Sequence, residues 1–357
     1  MTELKAILVT TAKNEAPYFL EWVAHHQELG FTDIVVFQND SDDLTHETLS
    51  LLRKIGAIRY LYNRGAKGQQ QAHAYARAAE LAPYQHSTWA MALNMDDFLV
   101  VKTGNGTLSD LIRALPEVDC IHLNRRNFGN SGYETLTEQL VTERFCMADH
   151  PLGAPDQFSA FKCLFRSARF QRPGVHHPHR PTAPEPVRHT NGSGLPPDAY
   201  LRKDTTSTDP LGSRYAQINH YGTRDLASFM LNAENPDIGQ SDWLRQNTNF
   251  AIDDSMQPWL ARLKARMGAL DAASGGRLMD LREAAMFLHM ARYYTLLQAP
   301  QMRAFRQFCK THPNAADQHK PKGKHLSQTA PTQTVTPKSR ARPVGKTTRP
   351  PTVTATT

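Results

Sequence analysis

From residue 6 to residue 93 the chain alternates in a way that leaves few folds open. A β-rich apolar run at 6–10 leads into the polar turn 11–15, and Pro17, suited to the first turn of a helix, opens a stretch to residue 29 with Phe19, Trp22, Val23 and His26 at helical spacing. Gly30 is well placed to end that helix. The strand at 33–37, the turn 38–43 and a helix marked by Leu44, Leu51, Leu52 and Ile55 and closed by Gly56 continue the pattern. A strand at 57–61, a helix at 69–81 and a strand at 88–93 complete a β-α-β-α-β-α-β series. Connection rules turn such a series into an α/β fold, a mostly parallel sheet with helices on both faces. Ligands bind such sheets beyond the carboxyl ends of the strands.

Residues 1–117 are therefore read as a ligand-binding half. Beyond them the pattern gives way to strand-like runs at 120–124, 140–145 and 160–165, so 118–223 is read as an acceptor-side half, with a long Pro/His-rich loop at 173–210. Helices are expected at 224–232, 253–267 and 280–298, making 224–311 a helical region, and 312–357 reads as a disordered, basic Pro/Thr tail. The formal net charge of +7 belongs to that tail, which holds eight Lys/Arg against one Asp and leaves the body neutral. The tail has no aromatic residue to stack on bases, so no nucleic-acid partner is expected; contact with an anionic membrane surface or polymer fits it better. The four cysteines are widely spaced without a CxxC pair and read as reduced thiols. No signal-peptide core and no membrane-length apolar run is present. The expected location is the cytoplasm, with peripheral contact at the inner face of the membrane through the tail.

Three polar turns follow three apolar strands, at 11–15, 39–43 and 94–97. In a parallel sheet they emerge at one edge, so Asn14, Glu15, Asn39, Asp43, Asn94 and Asp96 are expected to converge on one cleft. Asp96 and Asp97 sit between two apolar segments, where charges need a partner. A divalent cation bridging a diphosphate is a natural one, since hard oxygen ligands suit Mg²⁺ or Mn²⁺. Asp97 could instead cap the segment that follows.

The ordered set Lys13-Asn14-Glu15, Leu20-Glu21-Trp22-Val23-Ala24-His25-His26, Leu29-Gly30-Phe31, Asn39-Asp40-Ser41-Asp42-Asp43 and Asn94-Met95-Asp96-Asp97-Phe98-Leu99-Val100 resembles the bacterial family 2-like glycosyltransferases related to glycosyltransferase family 92. Further matches are Gln71 with Ala74-Tyr75, the segment 127–132, Lys162, Ile218-Asn219-His220-Tyr221, and Asn249 through Asp253-Asp254, so the resemblance runs over roughly residues 4 to 265. It implies a fold of the GT-A type, a nucleotide-sugar-binding α/β domain carrying additional C-terminal helices. Thr11, Asn14, Glu15 and Asn39 would lie around the nucleoside and Gln71 near the diphosphate-sugar. Asn94-x-Asp96 matches the family's Asp-x-Asp, with Asp96 on the metal; Asn94 removes one negative charge while keeping an oxygen acceptor. A histidine from the second half, His220 or His176, would complete the metal site. Asn127, Phe128 and Ser131 resemble the acceptor-side turn, with Phe128 either a sugar-stacking ring or a core residue.

An inverting transfer, which the resemblance implies, needs a carboxylate to deprotonate the acceptor hydroxyl, and Asp149 and Asp156 lie where such a base could sit. The reading is a hexosyltransferase, moving a hexose from a nucleotide sugar, a UDP-sugar first, to a glycan or surface-polymer acceptor with Mn²⁺ or Mg²⁺. The alternative is a degenerate transferase that binds nucleotide sugar or glycan without turnover.

Overall fold

In the computed structural model, which describes residues 4–66, 68–150, 159–203, 206–207, 212–233 and 235–315, the first half forms the parallel series. Strands β1 (Ala6–Ala12), β2 (Asp33–Gln38), β3 (Arg59–Tyr62) and β4 (Trp89–Ala92) lie in the order β3-β2-β1-β4, every pair parallel. Helices α1 (Phe19–Leu29), α2 (Thr45–Lys54), α3 (Gln70–Ala79) and the short α4 (Ala82–Gln85) make the crossovers. β1 and β4 are buried almost throughout, as strands covered on both faces must be. β1 outruns its apolar core because Thr11 and Ala12 still pair with Phe37 and Gln38. Gly30 ends α1 at φ 103°, a left-handed cap that a side chain would strain.

The chain then runs through β5 (Asp97–Val101), α5 (Leu108–Ala114), β6 (Cys120–Asn127), α6 (Val141–Arg144), β7 (Met147–Ala148) and β8 (Ser159–Arg166). Next come β9 (Phe170–Arg172), β10 (His179–Pro181), β11 (His189–Asn191), α7 (Pro197–Tyr200), β12 (Leu201–Lys203), β13 (Thr206–Ser207) and β14 (Ala216–His220). The main path continues from β4 as β8-β6-β14-β5. β8 is antiparallel to both β4 and β6, and β14 is parallel to β6 but antiparallel to β5. The sheet is thus parallel on the β1 side and mixed beyond β4, the α/β architecture of the GT-A type. Both halves share this sheet, and the chain to residue 318 clusters as one unit.

Residues 140–145, expected as a strand, form α6. The cause lies far away in sequence: the buried Glu21 carboxylate on α1 accepts hydrogen bonds from Val141 N (2.8 Å), Thr142 N (2.9 Å) and Thr142 Oγ1 (2.8 Å), capping the helix. In the C-terminal part α8 (Leu226–Asn232), α9 (Pro236–Gln246), the short β15 (Ala251–Ile252), α10 (Leu260–Ala273), α11 (Arg277–Leu296) and α12 (Pro300–Thr311) follow. α10 starts later than expected because Pro258 sits in a preceding 3-10 turn. α9 and α12 each open on a proline that the sequence reading passed over.

α1 does more than cover the sheet. Trp22 Nε1 donates to the carbonyl of Asp97 (3.0 Å), and His25 Nε2 lies 2.7 Å from the carbonyl of Leu99. Both bonds fix the start of β5, and with it the turn 94–97.

Candidate functional site

The three polar turns lie beyond the carboxyl ends of β1, β2 and β4 and are wired to one another. Asn14 adopts φ 56°, which asparagine tolerates better than most residues. Its N–H donates to Ser41 Oγ (3.0 Å), and its side-chain oxygen accepts from Asp42 N (2.9 Å). Glu15 pairs with Arg224 Nη1 at 2.8 Å, and Arg224 Nη2 reaches the Met95 carbonyl at 3.4 Å, so one guanidinium ties the first turn to the third. Burial raises the Glu15 carboxyl above its usual range, with Arg224 opposing the shift and Asp96 adding to it. Asn39 accepts from Asn63 Nδ2 at 2.6 Å. From α3, Gln71 Nε2 donates to Asn94 Oδ1 at 3.0 Å. Thr11 closes the group, half-buried near the end of β1.

At the centre stand the carboxylates. The Asp97 side chain is fully buried and is met by Arg125 Nη2 at 3.0 Å, His220 Nδ1 at 3.0 Å and Lys162 Nζ at 3.9 Å. Asn94 N donates to its second oxygen at 3.2 Å. Burial alone would raise the Asp97 carboxyl, yet Arg125, His220 and Lys162 outweigh it and hold the group far below the usual carboxylate range. Asp97 is therefore the charged anchor of the site rather than a simple cap on the segment that follows.

Asp96 differs. Its side chain is 26% exposed, its Oδ1 has no hydrogen-bond partner among the described residues, and His220 Nδ1 lies 3.5 Å away. Burial raises its carboxyl, but His220 and Arg125 outweigh burial and the neighbouring Asp97 and leave it lowered. One donor atom each from Asp96, Asp97 and His220 lies within 4.8 Å of the other two. Oxygen, oxygen and imidazole suit a divalent cation, and an orphaned Asp96 oxygen is what such an ion would satisfy. A bound ion would be held by Asp96 first, whose Oδ1 is open to it, with His220 beside it; Asp97 and His220 Nδ1 already meet each other at 3.0 Å. Gly222 leaves room for the imidazole: a Cβ there would lie 2.5 Å from His220 Nε2.

His176 does not belong to this cluster. Its Nδ1 is buried without a hydrogen-bond partner among the described residues, and burial, with Lys162 and Arg125 nearby, lowers its pKa. Asn127 pairs in register with His220, and Asp149 lies 3.4 Å from Asn127 Nδ2, which connects Asp149 to the edge of the site. Asp156 lies outside the described residues.

Of the two readings of Phe128, packing favours the core one. Its ring is 1% exposed and packs on Tyr221 with centroids 4.6 Å apart, so it belongs to the core and has no face for a sugar. Ser131 is held in a turn at φ 50°, its Oγ accepting from Cys146 N (3.1 Å) and Met147 N (3.0 Å). Asp43, expected in the cleft, instead turns back to Ala16 N (3.2 Å) and His289 Nε2 (2.9 Å).

Four participants went unassigned at the sequence level: Arg125, Lys162, Arg224 and Asn63. Lys162 carried a signal, a lysine between Phe161 and Cys163 in an apolar strand, because a buried ammonium needs a partner. Burial lowers its pKa, opposed by Asp97.

A sheet of this order, with amide and carboxylate turns converging at the carboxyl edge of its parallel strands, has the α/β architecture of the GT-A type. The family model of glycosyltransferase family 92 matches residues 10–225. The chain belongs to that family. A glycosyltransferase family 92 protein of Oryza sativa subsp. japonica is 28% identical over 155 residues, a stretch that covers 42% of this chain and a quarter (25%) of the rice protein. Among solved structures, the S. aureus TarS fragment 1–349 in complex with UDP matches at 15% identity and TM-score 0.31, covering 85% of this chain and 92% of that one. The same fragment with UDP-GlcNAc matches at 12% identity and TM-score 0.31, covering 86% and 91%. Among the described residues, no helix is long and apolar enough to cross a membrane.

Proposed function

We propose that the protein transfers a hexose from a nucleotide sugar, a UDP-sugar first, to a glycan or surface-polymer acceptor with inversion, assisted by Mn²⁺ or Mg²⁺. The observation that carries this reading is the Asp96 Oδ1 atom, buried without a hydrogen bond among the described residues, 3.5 Å from His220 Nδ1, at the edge where Gln71 and Asn94 meet. A divalent cation held there supplies positive charge to the departing nucleoside diphosphate. The chain's own residues do the rest. Arg125 and Lys162 balance the two aspartates, so that a diphosphate enters a site whose carboxylates are already neutralised. Asn14, Glu15 and Asn39 border the nucleoside, Glu15 held by Arg224. Asp149, tied to Asn127, is the described candidate for the base that takes the proton from the acceptor hydroxyl; Asp156 is the other.

Calorimetric titration with UDP, with and without Mn²⁺, tests the reading. Metal-enhanced binding that the Asp96→Ala variant loses supports it; binding indifferent to both metal and variant rejects the metal assignment. A second reading, donor binding without turnover, is favoured by Asn94, whose side-chain oxygen is already engaged by Gln71 and by Lys162 Nζ at 3.3 Å. Metal-dependent release of sugar from the donor separates the two. The basic residues of the tail would hold the enzyme at an anionic surface, each worth about 1 kcal/mol close to it. Truncation after residue 315 should abolish sedimentation with anionic vesicles while leaving UDP binding intact.

A further inference from the structure

A second cluster of metal-type side chains lies apart from the carboxylate site. Cys120 and His122 are two residues apart on β6 and so project from the same face of the sheet. Across the ladder to β8, His122 stands opposite Cys163. Across the ladder to β11, Cys120 stands opposite His189. Paired residues share a face, so the register alone brings two thiols and two imidazoles to one place. Lys162, one residue before Cys163, points the other way, toward Asp97.

One donor atom from each of Cys120, His122 and Cys163 lies within 4.8 Å of the other two. His189 Nδ1 is 3.2 Å from His122 Nε2. Zinc bonds of about 2.3 Å to sulfur and about 2.0 Å to nitrogen set the donors of a tetrahedral shell about 3.3 to 3.8 Å apart, so Cys120, His122 and Cys163 need to close by about 1 Å at most, and His189 already meets His122 at 3.2 Å. The outer contacts are in place as well. Tyr200 Oη lies 3.0 Å from His122 Nδ1, which directs Nε2 inward, and Phe161 stacks on the same ring at a centroid distance of 4.6 Å. Cys120, Cys163 and His122 are all buried, at 0%, 4% and 4% exposure.

We infer that Cys120, His122, Cys163 and His189 form a closed tetrahedral site for a zinc ion. Two thiolates balance the charge of Zn²⁺, so a neutral unit is buried, and the two thiol protons leave to solvent as the ion enters. Four protein ligands leave no open position, which makes the site structural. The ion pins β11, and therefore the far end of the segment 173–188, to the central sheet. The near end of that segment is held by Lys162 Nζ on the Val175 carbonyl at 2.7 Å.

The test uses the full chain, purified without metal-affinity resin or chelator, and reads zinc content by elemental analysis and the visible and near-ultraviolet spectrum after exchange with Co²⁺. We expect one zinc per chain and a cobalt spectrum with thiolate charge transfer. The carboxylate cluster cannot supply that band, and Asp96→Ala should leave it unchanged. His189→Ala, at a half-buried position, removes one of the four ligands and should weaken zinc binding by at least about tenfold, the least that loss of even an outer partner costs. Chelation should speed proteolysis within 173–188. Absence of zinc, a cobalt spectrum without thiolate charge transfer, a Cys120–Cys163 disulfide found under non-reducing conditions, or a His189→Ala protein that binds zinc as tightly as the parent would each overturn the inference. Because cobalt is read in the unmodified chain, the result does not depend on whether cysteine variants fold.

Discussion

Replacing Asp97 by Asn separates the anchor of the carboxylate site from its ligand-facing partner. The Asp97 side chain is fully buried, with Arg125 and His220 each 3.0 Å away and Lys162 at 3.9 Å. The amide keeps the shape and one acceptor but strips the charge, leaving a guanidinium and an ammonium buried without their counter-ion. Breaking a buried pair by removing one partner costs about 3–5 kcal/mol. For a domain of this size, about 2 °C of melting temperature per kcal/mol turns that into a fall of about 6–10 °C. Asp96→Asn makes the same chemical change one residue earlier, on a side chain that is 26% exposed and whose Oδ1 has no hydrogen bond among the described residues. It relieves repulsion from Asp97 but gives up the attraction of His220 and Arg125, in a side chain that water still reaches. Its stability should stay within about 1 kcal/mol of the parent, close to the range of about 0.5 kcal/mol for ordinary surface changes. Calorimetric melting of both variants at neutral pH decides. If Asp97→Asn melts within about 2 °C of Asp96→Asn, the division of labour between the two carboxylates is wrong.

Burial pushes His25 down to about 4 and His26 well below its usual value, so both are neutral in the fold, whereas the unfolded chain takes up protons below about 6.5. Stability should therefore fall as pH drops from about 6.5 toward 4, by about 2 kcal/mol from His25 alone between pH 7 and 5; urea midpoints that stay level across that interval would refute it. Gly222→Ala places a Cβ 2.5 Å from His220 Nε2 and should displace the imidazole, lowering Mn²⁺-dependent UDP affinity at least tenfold with little change in melting temperature; unchanged affinity would remove His220 from the metal.

The order of the first four strands was legible because each apolar run is short, bounded by turn residues and followed by a helical spacing. The same reasoning found three turns that do meet, since strand direction alone decides at which edge a loop emerges. It failed where distant contacts decide. Residues 140–145 have a strand-like composition, and Glu21, some 120 positions earlier, supplies the cap that makes Val141–Arg144 helical. Arg224 reaches Glu15 across 209 positions. Nothing local to either residue announces that pair. Phe128 could be read as a sugar platform or as core, and packing on Tyr221 settles it as core. The register of β6 with β8 and β11 brings cysteines and histidines together that look scattered along the chain.

The hold of α1 on β5 has a consequence for how this protein could be altered. Trp22 and His25 grip the carbonyls of Asp97 and Leu99 from inside the core, so the peptide carrying the carboxylates cannot slide without breaking buried hydrogen bonds. Its charges are already oriented before any ligand arrives, and little reorganisation remains for the reaction to supply. Under the proposed function, retargeting the protein to another donor is then a matter of grafting side chains onto a fixed frame. Exchange of single residues at 94 and 96 should transfer between relatives, whereas insertions into that turn would have to prise the helix from the strand.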